Sequence, residues 1–377
     1  MTVIFILAAA AGAAVLASVI MSRAANRPAL WNMGLGGGLA VGVLVCAVLI
    51  AYAITRSMLP PGPPDRATSD RKERLTVKVL VLNFDPRIAR AGGAALHSAL
   101  RWNDPRDLAN QYAADVGKAS GGFITYEIVE WRDVDAFPRK IDGFVYTADQ
   151  YLTAHGKRSG WHEPDAVDYD AFFREFGVVS LIDVGTIDEL WIFGGPYFGY
   201  SEAAMAGRGA FDINGAVLAD VPSKRPFAIM GFNYERGVAE MLENLCHRIE
   251  ATMSREYGGW RIDELGHDWA RFAANEAQSG SAAVGTCHWP PNAEAEYDFG
   301  NPRIVSSTAD DWLSYPRLTG RLTPVNRDKW GGPDYARNYL FWWLRHLPHA
   351  PGAAPDGRHA NWWKYVFDFE RQARATQ

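Results

Sequence analysis

Helical spacing gathers one set of chemistry-bearing residues in the segment Arg236–Tyr257. Glu243 and His247 are four apart, and His247 and Glu250 three apart, so on a helix all three side chains can converge on one point. Imidazole with carboxylate is a usual ligand set for zinc and related divalent ions. Val238, Met241, Leu242, Leu245, Ile249 and Met253 occupy the other side of the same helix, which makes it amphipathic. The plainer alternative is a solvated charged face on which His247 merely pairs with its carboxylates. A further ligand has to come from elsewhere, and His288 is the candidate, in the loop Gly285-Thr-Cys-His-Trp-Pro-Pro-Asn292 whose prolines fix its course. The competing reading of His288 is a packed loop histidine. His346 and His349 straddle a proline near a helix end, where a structural role is expected. Cys246 and Cys287 each precede one of the two favoured histidines. They can form a disulfide if the histidines converge, or Cys246 can serve as a small hydrophobe.

Two other carboxylates suit proton transfer. Glu202 follows the turn Gly194-Gly-Pro-Tyr-Phe-Gly199, read as a strand-to-helix turn, and Glu235 lies in Phe232–Arg236. Crowding or burial raises one carboxyl pKa of such a pair, as general acid or base chemistry requires. Pairing of Glu235 with Arg236 or Arg208 is the structural alternative. The Gly194–Gly199 turn lacks the glycine spacing of a phosphate cradle, and its Pro196 removes an amide, so no nucleotide is expected. The first expectation is therefore a divalent-metal hydrolase. His247, Glu250, Glu243 and His288 would hold the ion, zinc by its ligand types, and Glu235 or Glu202 would take a proton from its water. A metal-free glycosidase built on Glu202 and Glu235, with Trp and Tyr as sugar platforms, is the alternative enzyme. A non-catalytic module binding carbohydrate or protein is the third. The 14 Trp are read first as core, since adjacent helical residues such as Trp342 and Trp343 point about 100° apart.

Strands expected at Leu75–Phe84, Phe123–Trp131, Asp142–Tyr146, Glu189–Phe193 and Phe227–Gly231 must position these residues. Helices are expected at Asp107–Lys118, Tyr169–Phe176 and Arg236–Tyr257. Alternation of this kind specifies an α/β fold, a mostly parallel doubly wound sheet with helices on both faces. Ligands in such sheets sit beyond the carboxyl ends of the strands, here the loops Asn83–Arg87, Gly194–Gly199 and Phe232–Arg236. After Trp260 the chain turns irregular and rich in Trp and Pro. Helices are expected there at Asp263–Glu276, Asp334–His346 and Asn361–Gln372, in a segment that wraps the strand ends. The soluble body thus covers 75–377, as a sheet core at 75–259 and a wrapping segment at 260–377.

Ahead of the body, the apolar runs 3–21 and 34–54 are each long enough to cross a bilayer, so 1–57 reads as a two-helix transmembrane hairpin. A Pro-rich, basic linker follows at 58–74. Gly34, Gly38 and Gly42 put small residues on one helix face, for packing within the hairpin or for a homo-oligomer seam. Basic residues flanking the spans favour a cytoplasmic body. The 377 residues carry 38 Lys and Arg against 43 Asp and Glu, and the excess acid lies in the body. An acidic body without a basic stripe argues against nucleic acid as a partner. Three Cys are too few for a disulfide scaffold.

The series DELWIFGGPYFGYSEAAMAG, IMGFNYERG, CHRIEATM, HWPPNAEAEYDFGN, DDWLSYP and HLPH with NWW resembles a family of uncharacterised, mostly secreted bacterial and fungal proteins. The likeness runs from about Val77 to Trp363 and carries no activity with it. Some members have His at the position of Glu243, followed by the same HRxE pattern, and both side chains ligate metals. The resemblance implies an extracytoplasmic body, against the charge count, on what the two apolar runs make a multi-pass cell-membrane protein. The hydrolase expected from the site residues would act on a polysaccharide or peptide polymer of the envelope or extracellular space. It also implies that Glu202, Glu235, His247, Glu250 and His288 lie inside family motifs.

Overall fold

The computed structural model divides the chain into two units, Met1–Arg71 and Lys72–Gln377, and describes residues 73–369. In β1 (Leu75–Phe84) every residue from Val79 onward is buried, as a continuous aliphatic run requires of a strand covered on both faces. It is joined in one sheet by β2 (Ile124–Val134), β3 (Glu189–Gly194), β4 (Ala203–Ala206), β5 (Val217–Leu218) and β6 (Phe227–Asn233), in the order β2-β1-β3-β6-β4-β5. All neighbours pair in parallel except β4 with β6. The chain is thus mixed α/β with a mostly parallel central sheet.

Helix α1 (Pro105–Ala119) starts where the Asp104 carboxylate accepts the N–H groups of Arg106 and Asp107. Its Tyr112 lies against Trp191 of β3 and Phe232 of β6, with ring centres 5.2 Å apart in each case. Beyond α2 (Ala148–Lys157), helix α3 (Tyr169–Phe176) stacks Phe172 on Phe84 and sets Phe173 against Phe227. Phe227 and Phe232 are an odd number of residues apart on one strand, so α1 and α3 cover opposite faces of the sheet. Helix α4 (Val238–Glu256) joins α1, and its Asn244 donates to the Gly231 carbonyl of β6.

Two expectations change here. Asp142–Tyr146 is not a strand. The Asp142 carboxylate accepts the Phe144 N–H, and Gly143 (φ +87°) turns the chain before a period-two pattern can pair. Nor does the segment after Trp260 cover the carboxyl ends of the strands. Helices α5 (Tyr335–His346) and α6 (Trp363–Phe367) pack over α4 and α1, through Arg337 on Asp115 and Arg248 on the Val366 carbonyl. Fully buried Trp269, Trp343, Trp362 and Trp363 fill this layer. The carboxyl ends are met instead by Trp102 and by Tyr151, whose hydroxyl donates to the Pro196 carbonyl at 3.0 Å.

Among the described residues no helix is long and apolar enough to cross a membrane. The longest, α4, has 19 residues but carries Glu240, Glu243, His247, Arg248, Glu250, Arg255 and Glu256, whereas a span needs about 20 mainly apolar residues. This corrects the expected transmembrane architecture, the lipid bilayer as partner and the multi-pass cell-membrane location. The runs 3–21 and 34–54, with Gly34, Gly38 and Gly42, lie outside the described residues.

Candidate metal centre

The helix carrying the candidate ligands is buried almost all round. Leu242, Leu245, Ile249 and Met253 are buried, and so are Cys246, Arg248 and Thr252. The polar stripe is therefore not a solvated surface: the Glu243, His247 and Glu250 side chains are only 21%, 17% and 12% exposed. His247 Nδ1 is 3.3 Å from Glu250 Oε2, and His247 Nε2 is 3.8 Å from Glu243 Oε1. Each one turn from His247 along α4, on either side of it, the two carboxylates hold opposite edges of the ring.

The second part of the site is the loop Gly285–Asn292. Gly285 has φ +88°, and a Cβ there would sit 2.2 Å from the Trp289 carbonyl oxygen, so only glycine makes this turn. From α5, Trp343 donates to the Gly285 carbonyl at 2.8 Å and Tyr339 to the Thr286 carbonyl at 2.6 Å. The loop is thereby set against α4. Its Cys287 N–H donates to Glu250 Oε1 at 2.9 Å, and the thiol donates to Glu250 Oε2 at 3.1 Å. Cys287 Sγ lies 3.2 Å from His247 Nδ1. His288 places its ring centre 4.7 Å from that of His247, with Nε2 2.8 Å from Glu243 Oε1. His247, Cys287 and His288 form a group that can hold a metal ion, with one donor atom from each lying within 4.8 Å of the others.

The charges are strongly coupled. Burial alone would raise the Glu243 carboxyl, but hydrogen bonds from His247 and His288 outweigh it and bring the pKa down to about 2. Burial opposes charge on His247, yet its bonds to Glu243 and Glu250 raise it to about 10, with a further push from the charge of Glu202. Burial, then the charge of Glu250, pushes the Cys287 thiol up. Tyr297 completes the rim. Its hydroxyl is 3.0 Å from His288 Nε2, its backbone is held at φ +62°, and burial and Glu243 push its pKa up to about 12.

Of the residues singled out from sequence, Glu243, His247, Glu250 and His288 come together, and Glu202 lies near enough for its charge to act on His247. Glu202 leads into strand β4 rather than a helix, and its carboxylate accepts a hydrogen bond from Asn214. Glu235 is elsewhere. It sits at the carboxyl end of β6, where its charge acts on Tyr151, and about 13 Å of helix axis separate the start of α4 from His247. His346 donates to the Trp342 carbonyl of its own helix at 2.7 Å. Both described cysteines are free, and Cys246 is wholly buried in the apolar core. Sequence reasoning missed Cys287 as a donor and Tyr297 as a rim residue. The Cys-His adjacency in CHWPP was the available signal for the first. A comparison of the chain with protein-family models, curated proteins and solved structures finds no match.

Proposed function

We propose that the chain holds one divalent ion, zinc by its donor set, on His247, Cys287 and His288, and uses it for hydrolysis. The observation that carries this is a thiol and two imidazoles with donor atoms within 4.8 Å of one another. Sulfur with imidazole suits zinc, and three protein donors leave a position for water or substrate, the pattern of catalytic sites. A bound ion would supply Lewis acidity toward a substrate oxygen and acidify a water. Ionised Glu243, with Glu202 beyond it, offers a carboxylate to accept that water's proton. Tyr297 keeps its proton at neutral pH and can donate to an oxygen on which charge develops. Glu235 has no part in this arrangement. Without a cation, burial and Glu250 keep Cys287 a thiol, which argues against a free thiolate nucleophile.

Elemental analysis of the purified full chain tests the proposal. One zinc per chain is expected, falling at least tenfold in His247→Ala and Cys287→Ser with circular dichroism unchanged. A wild-type protein that takes up no divalent ion on dialysis against zinc would end it.

A further inference from the structure

A second cluster lies at the carboxyl end of β1 and shares no residue with the metal centre. Asp85 is the first residue after β1 and is buried, with its N–H on the Val134 carbonyl of β2. Its Oδ1 accepts the His97 backbone N–H at 3.0 Å, and its Oδ2 is 2.5 Å from His97 Nδ1. The other ring nitrogen, Nε2, is 2.8 Å from the Ser98 hydroxyl. His97 and Ser98 lie on the one-turn helix Leu96–Leu100, Ser98 at the exposed surface and the His97 side chain 17% exposed. A nucleophile, a base within hydrogen-bond reach and a carboxylate fixing that base's tautomer are the three parts of an acyl-transfer site. With Asp85 on Nδ1, the proton of neutral His97 belongs on Nδ1, which leaves Nε2 as the acceptor for the Ser98 hydroxyl.

The place in the fold agrees with this. From β1 the chain passes to β2 on one side and then to β3 on the other, so β1 and β3 flank the point where strand order reverses. Open α/β sheets bind ligands outside the carboxyl ends at such a point. Here an aromatic wall stands beside the cluster. Tyr234, whose hydroxyl donates to the Phe84 carbonyl, has its ring 6.2 Å from His97 and 5.8 Å from Trp102, which in turn meets His155 at 5.2 Å.

We propose that Ser98, His97 and Asp85 form a nucleophilic site that cleaves carboxylic esters with an apolar or aryl acyl group. The Ser98 oxygen bonds to the acyl carbon while its proton passes to His97 Nε2. The bond to the alcohol then breaks, and that proton goes to the departing oxygen. Water repeats the sequence on the acyl-serine, releasing the acid and restoring the hydroxyl. Asp85 acts through His97 as a positioning residue.

The test uses the full chain in excess chelator, with p-nitrophenyl butyrate as substrate and an alkyl fluorophosphonate as covalent probe, located by peptide mass spectrometry. One probe per chain on Ser98 is expected, at the same rate in His247→Ala, which separates this site from the metal centre. Ser98→Ala, a change at an exposed position, should abolish labelling and ester cleavage, and His97→Gln should slow both by roughly 100-fold or more. Asp85→Asn keeps an acceptor for the His97 N–H but turns an amide toward Nδ1. It should lower kcat with KM unchanged, and Asp85→Glu should restore part of the loss. No probe on Ser98 of the folded wild-type chain, or an undiminished rate in His97→Gln, overturns the proposal.

Discussion

At neutral pH His247 and Cys287 each carry a proton that a metal must displace. His247 is held up to about 10 by Glu243 and Glu250, and the Cys287 thiol is pushed up by burial. Protons therefore compete with the ion, and affinity should climb as pH rises toward 10. Zinc added at pH 7 is expected to release about two protons per ion. Calorimetry in buffers of different ionisation heat counts them, and a release near zero would show that these two groups are not the ligands. Residue spacing on one helix made Glu243, His247 and Glu250 legible, because helical geometry alone joins them. The Cys287 donor was less legible, since a cysteine beside a histidine in a loop offered a disulfide with Cys246 as readily as a ligand. The Asp85, His97 and Ser98 cluster had no signature, because its carboxylate arrives from a strand end and its other two members are adjacent on a one-turn helix.

Helix α4 does two jobs from opposite sides. One is the polar stripe already described. The other is Arg248, which lies on the buried side, 1% exposed, and donates to Glu189 Oε2 at 2.8 Å and to the Val366 carbonyl at 2.9 Å. Breaking a buried ion pair by removing one partner leaves the other charge without solvent or counter-ion. Arg248→Met should cost about 3–5 kcal/mol of stability, read from urea unfolding, and Glu189→Gln in the same chain should recover part of it. A double variant no more stable than the single one would show that the loss lies in packing. The apolar period of α4 located the helix, but Arg248 reads from sequence as one more solvated charge. Its partner lies 59 residues away on β3. Strands β1, β3 and β6 were legible from their β-branched and aromatic runs. Strand β4 was not, because Ala-Ala-Met-Ala has neither period nor β-branching and is held by its antiparallel pairing with β6.

Across the whole molecule, the layer after Trp260 belongs to the same core as the sheet. Trp343 is fully buried, 5.6 Å from Phe272 and 6.4 Å from Trp269 by ring centres, and its indole N–H holds Gly285. Trp343→Ala should cost about 3–5 kcal/mol through the cavity it leaves, and zinc affinity should fall with it. Urea unfolding and metal titration on the same sample check both. Full stability with unchanged affinity would mean that the loop stands without its anchor. The irregular composition of this layer announced a wrapping segment, yet the surface it wraps was not legible. Tryptophan content specifies burial, but says nothing of which neighbour supplies it.

The Tyr339 hydroxyl grips the Thr286 carbonyl across 53 residues of intervening chain. During synthesis, every donor atom of the centre leaves the ribosome well before the tyrosine that clamps them. The loop that carries Cys287 and His288 therefore gains its Tyr339 anchor only after both residues have been translated.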